Sequence, residues 1–187
     1  TLFRSRVALL LRLGTLFRSL GDLPNGVAAY ERVVGIAPTD ASAATALGEM
    51  LTEPSVALSV ADILEPVYRA ASQHGRVAQL YEVRERMGDD DSDRARHLVT
   101  AADLWERAGE GVKAVQSLRR AVALVPTDDV AWGELDRVAQ THGAFGELRG
   151  LAEEVTESGR LDASLVAEIN LRAARWYADR LGDPAAA

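Results

Sequence analysis

Two stretches of the chain follow the same pattern of residues, and this repetition constrains the fold more than any other feature. Leu13–Asp40 and Ala101–Asp128 align without a gap. In each stretch a large aromatic residue, Phe17 or Trp105, lies four positions before a glycine. That glycine lies seventeen positions before a proline, and both stretches close with Pro-Thr-Asp. A helix–turn–helix pattern that occurs twice is typical of a repeat array.

Hydrophobic spacing predicts helices throughout the chain. In the first, over Arg6–Leu20, apolar residues three and four positions apart share one face. These inward positions are Leu10, Leu13, Leu16 and Phe17. No segment alternates with a period of two residues, so we expect about ten or eleven helices and no strand. The other predicted helices end or begin near glycine, proline or aspartate, at about 24–37, 41–51, 55–74, 77–87, 93–108, 111–125, 130–142, 147–157 and 162–181.

The segment 55–74 contains Pro66 and allows two interpretations. It forms either one helix bent at the proline or two helices joined tightly there. Gly75 is expected to end it. In the regular parts, Gly21, Gly109 and Gly143 end helices, and Asp40 and either Asp128 or Asp129 begin them as N-caps.

Bulk composition excludes several functional classes. The 187 residues have a net charge of −7 and a pI near 5.0, whereas a protein that binds a nucleic-acid backbone needs a basic face. No cysteine is present, so neither a disulfide nor a thiolate zinc site can form. No stretch reaches the length of a membrane helix. Lys113 is the only lysine, which indicates a GC-rich, bacterial genome, and we expect a cytoplasmic protein.

The two ends of the sequence differ in character from the repeats between them. The pentapeptide TLFRS occurs at Thr1–Ser5 and again at Thr15–Ser19. It is either a coincidence within helical turns or, at Thr1–Ser5, a translated sequencing adapter, and those five residues receive no functional weight. The closing Gly-Asp-Pro-Ala-Ala-Ala is typical of the start of another helix. We therefore expect an excerpt from a longer array.

The repeated pattern resembles the tetratricopeptide repeat (TPR), a helix–turn–helix unit of roughly 34 residues. The matching positions are Leu98, Ala101, Ala102 and Trp105 in the first helix, Gly109 in the turn, and Ala114, Leu118, Ala121 and Pro126 in the second helix and its end. Small residues at such positions let two helices approach closely, and large ones fill the space between neighbours.

The resemblance is uneven along the chain. Residues 5–38, 95–128 and 129–160 are the best copies, 41–90 is degenerate, and 162–187 is a partial last copy. The resemblance implies one domain over 1–187, an all-α solenoid of antiparallel helix pairs with right-handed stacking. It also implies a role in protein–protein interaction or scaffolding.

The histidines and acidic clusters offer no convincing metal site. His74 and His142 both precede a glycine, where a histidine can bond the carbonyls at a helix C-terminus. His97 lies four residues after Asp93 and is expected to form a solvent-facing pair with it. Asp89, Asp91 and Asp93 alternate like the start of a calcium loop, but the glycine and closing glutamate of such a loop are missing. We expect these aspartates to stabilise the start of the next helix.

No residue set predicts catalysis or a cofactor. There is no nucleophile elbow and no phosphate-binding glycine loop before a lysine. The tryptophans at 105, 132 and 176 fall on packing positions, which favours a core role over ligand stacking. We therefore expect a protein that is not an enzyme and binds no cofactor.

In the family that the sequence resembles, the first helices of successive repeats line a concave binding face. Carried over to this chain, that face contains Arg96, Val99, Asp103, Glu106, Val130, Arg137 and Gln140. The variant of the family that grips a peptide carboxylate has a groove rich in Lys and Asn, which is absent here. A polar peptide or a folded protein is thus the expected partner, with no nucleic acid and no membrane insertion. The alternatives are a merely solvated face and a spacer or accessory module of a larger enzyme or secretion-related protein.

Overall fold

The structure, a computed structural model, describes residues 2–157 and 161–179. Within these ranges the chain forms ten α-helices and two 3₁₀ turns, with no strand, which confirms the all-α prediction. The helices are α1 Leu2–Ser19, α2 Leu23–Ile36, α3 Ala41–Glu49, α4 Ala57–Ala70, α5 His74–Met87, α6 Asp91–Arg107, α7 Gly111–Leu124, α8 Asp129–His142, α9 Leu151–Thr156 and α10 Ala163–Asp179. Among the described residues, no helix is both long and apolar enough to span a membrane.

The chain divides after Met87 into two compact units. Their charge differs sharply. Residues 1–87 contain nine acidic and nine basic side chains, whereas residues 88–187 contain 19 acidic and 12 basic ones. The whole formal charge of −7 therefore belongs to the second unit.

Three helices end in the same left-handed turn. Gly21, Gly109 and Gly143 have φ angles of 75°, 79° and 64°. The next residue then donates its backbone N–H to a carbonyl five positions earlier, at 2.9 Å in all three turns. The acceptors are Phe17, Trp105 and Ala139. This arrangement is the Schellman C-cap, which satisfies carbonyls that the helix leaves unpaired.

A fourth turn corrects the prediction for residues 55–74. Helix α4 ends at Ala70, and Ser72, with φ of 54°, adopts the left-handed conformation that we expected of Gly75. The N–H of Gln73 donates to the Tyr68 carbonyl at 2.9 Å, as in the glycine turns. The same turn therefore forms with a serine in the place that glycine occupies in the other three. His74 consequently begins α5 and does not lie at a helix C-terminus, so that prediction was wrong.

Other boundaries also differ from expectation. Helix α4 is a single helix with Pro66 inside it, which decides between the two interpretations. The helix predicted over 147–157 is interrupted, because Gly150 is left-handed (φ 72°) and separates a 3₁₀ turn at Phe145–Leu148 from α9. A second 3₁₀ turn, Met50–Thr52, follows α3. Three predictions lie outside the described residues: Gly159 as the break before the last helix, Gly182 as the turn glycine of the last repeat, and the final two residues of the helix predicted over 162–181.

Aspartates start the helices as predicted. The side chains of Asp40 and Asp128 accept backbone N–H groups of their helices at 3.0 Å, so Asp128 is the cap of α8. Asp90 does the same at α6 and accepts the N–H of Asp93 at 3.0 Å. Asp90 is therefore the N-cap of α6, where a carboxylate satisfies free N–H groups.

Close approach between helices depends on small residues. A Cβ added to Gly14 of α1 would lie 2.6 Å from the Tyr30 ring of α2, and one on Gly26 would lie 3.3 Å from Cγ of Arg18. The residue nearer the end of α1 thus contacts the residue nearer the start of α2, so the two helices are antiparallel. Leu16, which was predicted to point inward, is instead 52% exposed, because Gly14 occupies the crossing.

The second unit contains the equivalent antiparallel pair, α6 and α7. Near its turn, the Lys113 ammonium lies 4.5 Å from the centroid of the Trp105 ring. At the far end, Ala95, Leu98 and Ala121 form one buried cluster. These helix pairs are what the resemblance to tetratricopeptide repeats implies, and the fold is TPR-like.

Candidate functional site

Helix α8 exposes one stripe of side chains, which we call the α8 stripe: Val130, Gly133, Arg137 and Gln140. All four are exposed, and three- and four-residue spacings place them on one face of the helix. Val130 is 76% exposed, a high value for an apolar residue. A Cβ added to Gly133 would meet no atom within 4 Å, so the surface there is open. The stripe therefore presents an apolar side chain, an unobstructed stretch of backbone and two polar side chains at the surface.

The predicted residues of α6 are less available. The carboxylate of Asp103 lies 3.0 Å from the Arg107 guanidinium, and Arg96 is bound to Asp93. Val99 is half-buried and packs on the cluster of Ala95, Leu98 and Ala121. These three predicted site residues therefore have partners within α6 or the core.

Glu106 and Arg137 join α6 to α8. The Arg137 guanidinium donates to both oxygens of Glu106, at 3.1 and 2.8 Å, and also to Glu134 at 2.8 Å. Nε2 of His142 lies 3.3 Å from Oε1 of Glu106. The hydrogen bond from Arg137 lowers the pKa of Glu106 below its ordinary value; burial opposes this shift, and the His142 contact adds to it. The structure thus brings together two predicted site residues, Glu106 and Arg137, with Glu134, which the sequence did not single out, and His142, which was expected only to bond helix-end carbonyls.

The first unit contains the same connection with its charges exchanged. Arg18 of α1 binds Glu49 of α3 at 3.0 Å, and these residues are 31 positions apart, as Glu106 and Arg137 are. Arg18 and Glu106 each follow the aromatic residue that precedes the turn. The position after the aromatic residue therefore links successive repeats in both units.

Helix α10 is held against α8 by a buried aromatic cluster. The Trp132 and Trp176 ring centroids are 6.2 Å apart, and each indole N–H has an acceptor. Asp136 accepts from Trp176 at 2.7 Å and from Arg172 at 2.6 Å. Trp105 is also buried, so the structure places all three tryptophans in the core, as predicted.

A groove of about 490 Å³ lies between α8 and α10. Gln140 of the α8 stripe contributes to it, together with Leu171 and Arg175 from α10. Phe145 and Trp176 also line it. The groove therefore extends the α8 stripe towards α10, a continuation that the sequence analysis missed because α10 belongs to a partial repeat.

The acidic and histidine side chains do not assemble into a metal centre within the described residues. His74, His97 and His142 lie on three different helices, and His97 is half-buried. The carboxylate of Asp93, which was expected to pair with His97, is bound by Arg96.

No protein-family model and no curated protein matches the chain. Among solved structures, a thermophilic TPR protein of Thermus thermophilus is 20% identical. The match covers 88% of this chain and 97% of that one, with a TM-score of 0.30. The fold assignment thus rests on the helix pairs and turns described above.

Proposed function

We propose that this chain is a non-catalytic helical-repeat module that binds a polar peptide or a protein segment on the α8 stripe and the adjoining groove. The observation that carries this proposal is the α8 stripe itself, where Val130 is exposed beside the open surface at Gly133. The stripe and the adjoining groove combine exposed apolar side chains, Val130 and Leu171, with a few polar ones, which is the composition of ligand-binding clefts.

The residues of the site have two different roles. Glu106 and Arg137 bind each other, so they hold α6 and α8 together and offer a ligand little free charge. Contact with a ligand comes from Val130 and Gln140, and from Leu171, which is 55% exposed at the groove. A ligand that fits these three residues has a small apolar side chain flanked by hydrogen-bonding groups.

A peptide-display selection on the immobilised protein tests this function. The sequences that it enriches are measured by fluorescence anisotropy against two matched variants. Val130→Glu alters the α8 stripe, and Val112→Glu is the control on α7. Both valines are exposed and occupy the second position of their helices, so a glutamate has the same local effect on the two helix N-termini.

We expect Val130→Glu to weaken binding at least tenfold and Val112→Glu to leave it unchanged. If the selection enriches no sequence, or if both variants bind equally well, the face is solvated. The module is then better described as a spacer or an accessory part of a larger enzyme or secretion-related protein, the alternative that needs no ligand here.

A further inference from the structure

Helix α1 carries the largest group of exposed apolar side chains on one element in the described residues. Leu9, Leu16 and Leu20 are 59%, 52% and 70% exposed, and Leu13 is half-buried between them. Spacings of four, three and four residues place these leucines in one line along α1 and the residue that follows it. We call this line the leucine stripe. It lies away from Gly14, which faces α2.

The same positions exist in α8, where they can be compared directly. Gly21 and Gly143 are the equivalent left-handed turn residues, since each accompanies the same 2.9 Å hydrogen bond. Counted back from these glycines, the leucine stripe corresponds to Ala131, Leu135, Val138 and His142.

In α8 this line is covered. Ala131, Leu135 and Val138 are 2%, 0% and 2% exposed. At its end the His142 ring lies so close to Gly111 of α7 that an added Cβ would be 2.2 Å from it. Because the four residues share one face, this is the face of α8 that α7 covers. A helix therefore occupies in the second unit the place that no described helix covers on α1.

Charge indicates which kind of helix fits α1. Its sequence contains arginines and no acidic residue. Arg6 and Arg12 flank the leucine stripe, are exposed, and form no ion pair within the described residues. A second copy of α1 would place arginines against arginines, so charge disfavours a dimer through this face.

We propose that the leucine stripe is a docking surface for one amphipathic helix whose apolar face is flanked by carboxylates. Four apolar residues at these spacings are what a helix-binding face presents. This surface belongs to the first unit and is independent of the α8 stripe, so either proposal can fail without the other.

The test uses the full chain and a synthetic peptide as the probe. The acidic peptide has the sequence of α7 with Lys113→Glu, Arg119→Glu and Arg120→Glu. A hydrocarbon link between positions 112 and 116, both exposed in α7, holds it helical, because an isolated helix of this length is marginal in water. The matched control peptide has the same link and the unchanged basic residues of α7.

We expect the acidic peptide to bind at least tenfold more tightly than the basic one at low salt, and the difference to shrink at 0.5 M salt. The double substitution Leu9→Gln and Leu16→Gln should reduce binding at least tenfold. Leu58→Gln, at an apolar residue of α4 that is 44% exposed, should not change it.

Several results would overturn the proposal. These are no binding of the acidic peptide, equal binding of both peptides, or binding that survives the double substitution. Self-association of the full chain that Leu9→Gln and Leu16→Gln abolish would assign the surface to a second copy. Binding to vesicles of phosphatidylserine and phosphatidylcholine that the same variant loses, with no peptide binding, would assign it to a lipid surface.

Discussion

At the scale of single residues, the contact between Gly111 and His142 sets the separation of α7 and α8. A Cβ at position 111 would lie 2.2 Å from Cγ of His142, so the ring must move. We expect Gly111→Ala to lower the free energy of unfolding by about 1–3 kcal/mol, because overpacking outweighs the gain in helix propensity. Chemical denaturation of the single and double variants measures this. In the His142→Ala background the same substitution should be neutral or stabilising, and an equal loss in both backgrounds would contradict the explanation.

The crossing of α6 and α7 gives a second prediction at this scale. Ala121 is fully buried against Ala95 and Leu98. Ala121→Trp should cost about 1–3 kcal/mol of stability, because the cluster has no room for an indole. Val112→Trp, at an exposed position of the same helix, is the control and should leave the melting temperature nearly unchanged. A neutral melt for Ala121→Trp would show that the two helices can separate without cost.

At the scale of elements, the four Schellman turns allow a reciprocal exchange. Ser72 adopts a conformation (φ 54°) that favours glycine, and Gly109 adopts nearly the same one (φ 79°). Ser72→Gly should stabilise the protein by about 0.5–1 kcal/mol, and Gly109→Ser should destabilise it by about 1 kcal/mol. Thermal unfolding of the two variants measures both effects. If both variants change the melting temperature in the same direction, the backbone conformation at these two positions does not determine the effect of the substitution.

The connection between α6 and α8 predicts a pH dependence. The pKa of Glu106 is lower in the folded protein than in the unfolded chain because Arg137 donates to its carboxylate. The pair therefore contributes stability above the unfolded pKa, and this contribution is lost as the pH falls through the folded pKa. For a pair this exposed the contribution is below about 1 kcal/mol, so the titration of the carboxyl carbon by NMR is the better measurement.

Arg137→Gln should raise the pKa of Glu106 in that titration. Arg107→Gln is the control, because Arg107 binds Asp103 on the same helix and has no hydrogen bond to Glu106. If the pKa of Glu106 is the same in all three proteins, the lowered value does not come from the bond between α6 and α8.

The elements also show how far the sequence predicts this structure. Periodicity and caps correctly predicted most helices, since they depend on residues within one turn of each other. The start of α5 was misplaced because the glycine rule pointed to Gly75, while the bond from Gln73 to Tyr68 fixed the turn at Ser72. The exposure of Leu16 was missed because no helix among the described residues covers its face, and helix periodicity does not report what lies opposite.

At the scale of the whole molecule, each unit contains its own helix pairs and its own repeat-linking ion pair. We expect residues 88–187, produced alone, to give a helical circular dichroism spectrum and a cooperative melt, because repeats are stabilised by their nearest neighbours. A spectrum dominated by coil would show that the second unit needs the first.

The candidate site was predictable to a lesser degree than the fold. Val130 and Gln140 were predicted from the resemblance to tetratricopeptide repeats, and the structure shows both exposed on one face of α8. The groove beside α10, the bond between Glu106 and Arg137, and the role of Asp136 depend on side chains 31 to 40 positions apart, which no local pattern specifies. The 31-residue spacing after Phe17 and after Trp105 was the one available signal.

The exchanged polarity of the two repeat-linking pairs bears on how such a chain can change during evolution. If the stretch Ala101–Asp128 replaced Leu13–Asp40, Glu106 would occupy the place of Arg18 and face Glu49 across the helices. Two carboxylates at that distance repel each other. An exchange of these two segments would therefore produce a mismatched array. The charge of the residue after the aromatic one, Arg18 or Glu106, therefore matches each copy to its own neighbouring repeat.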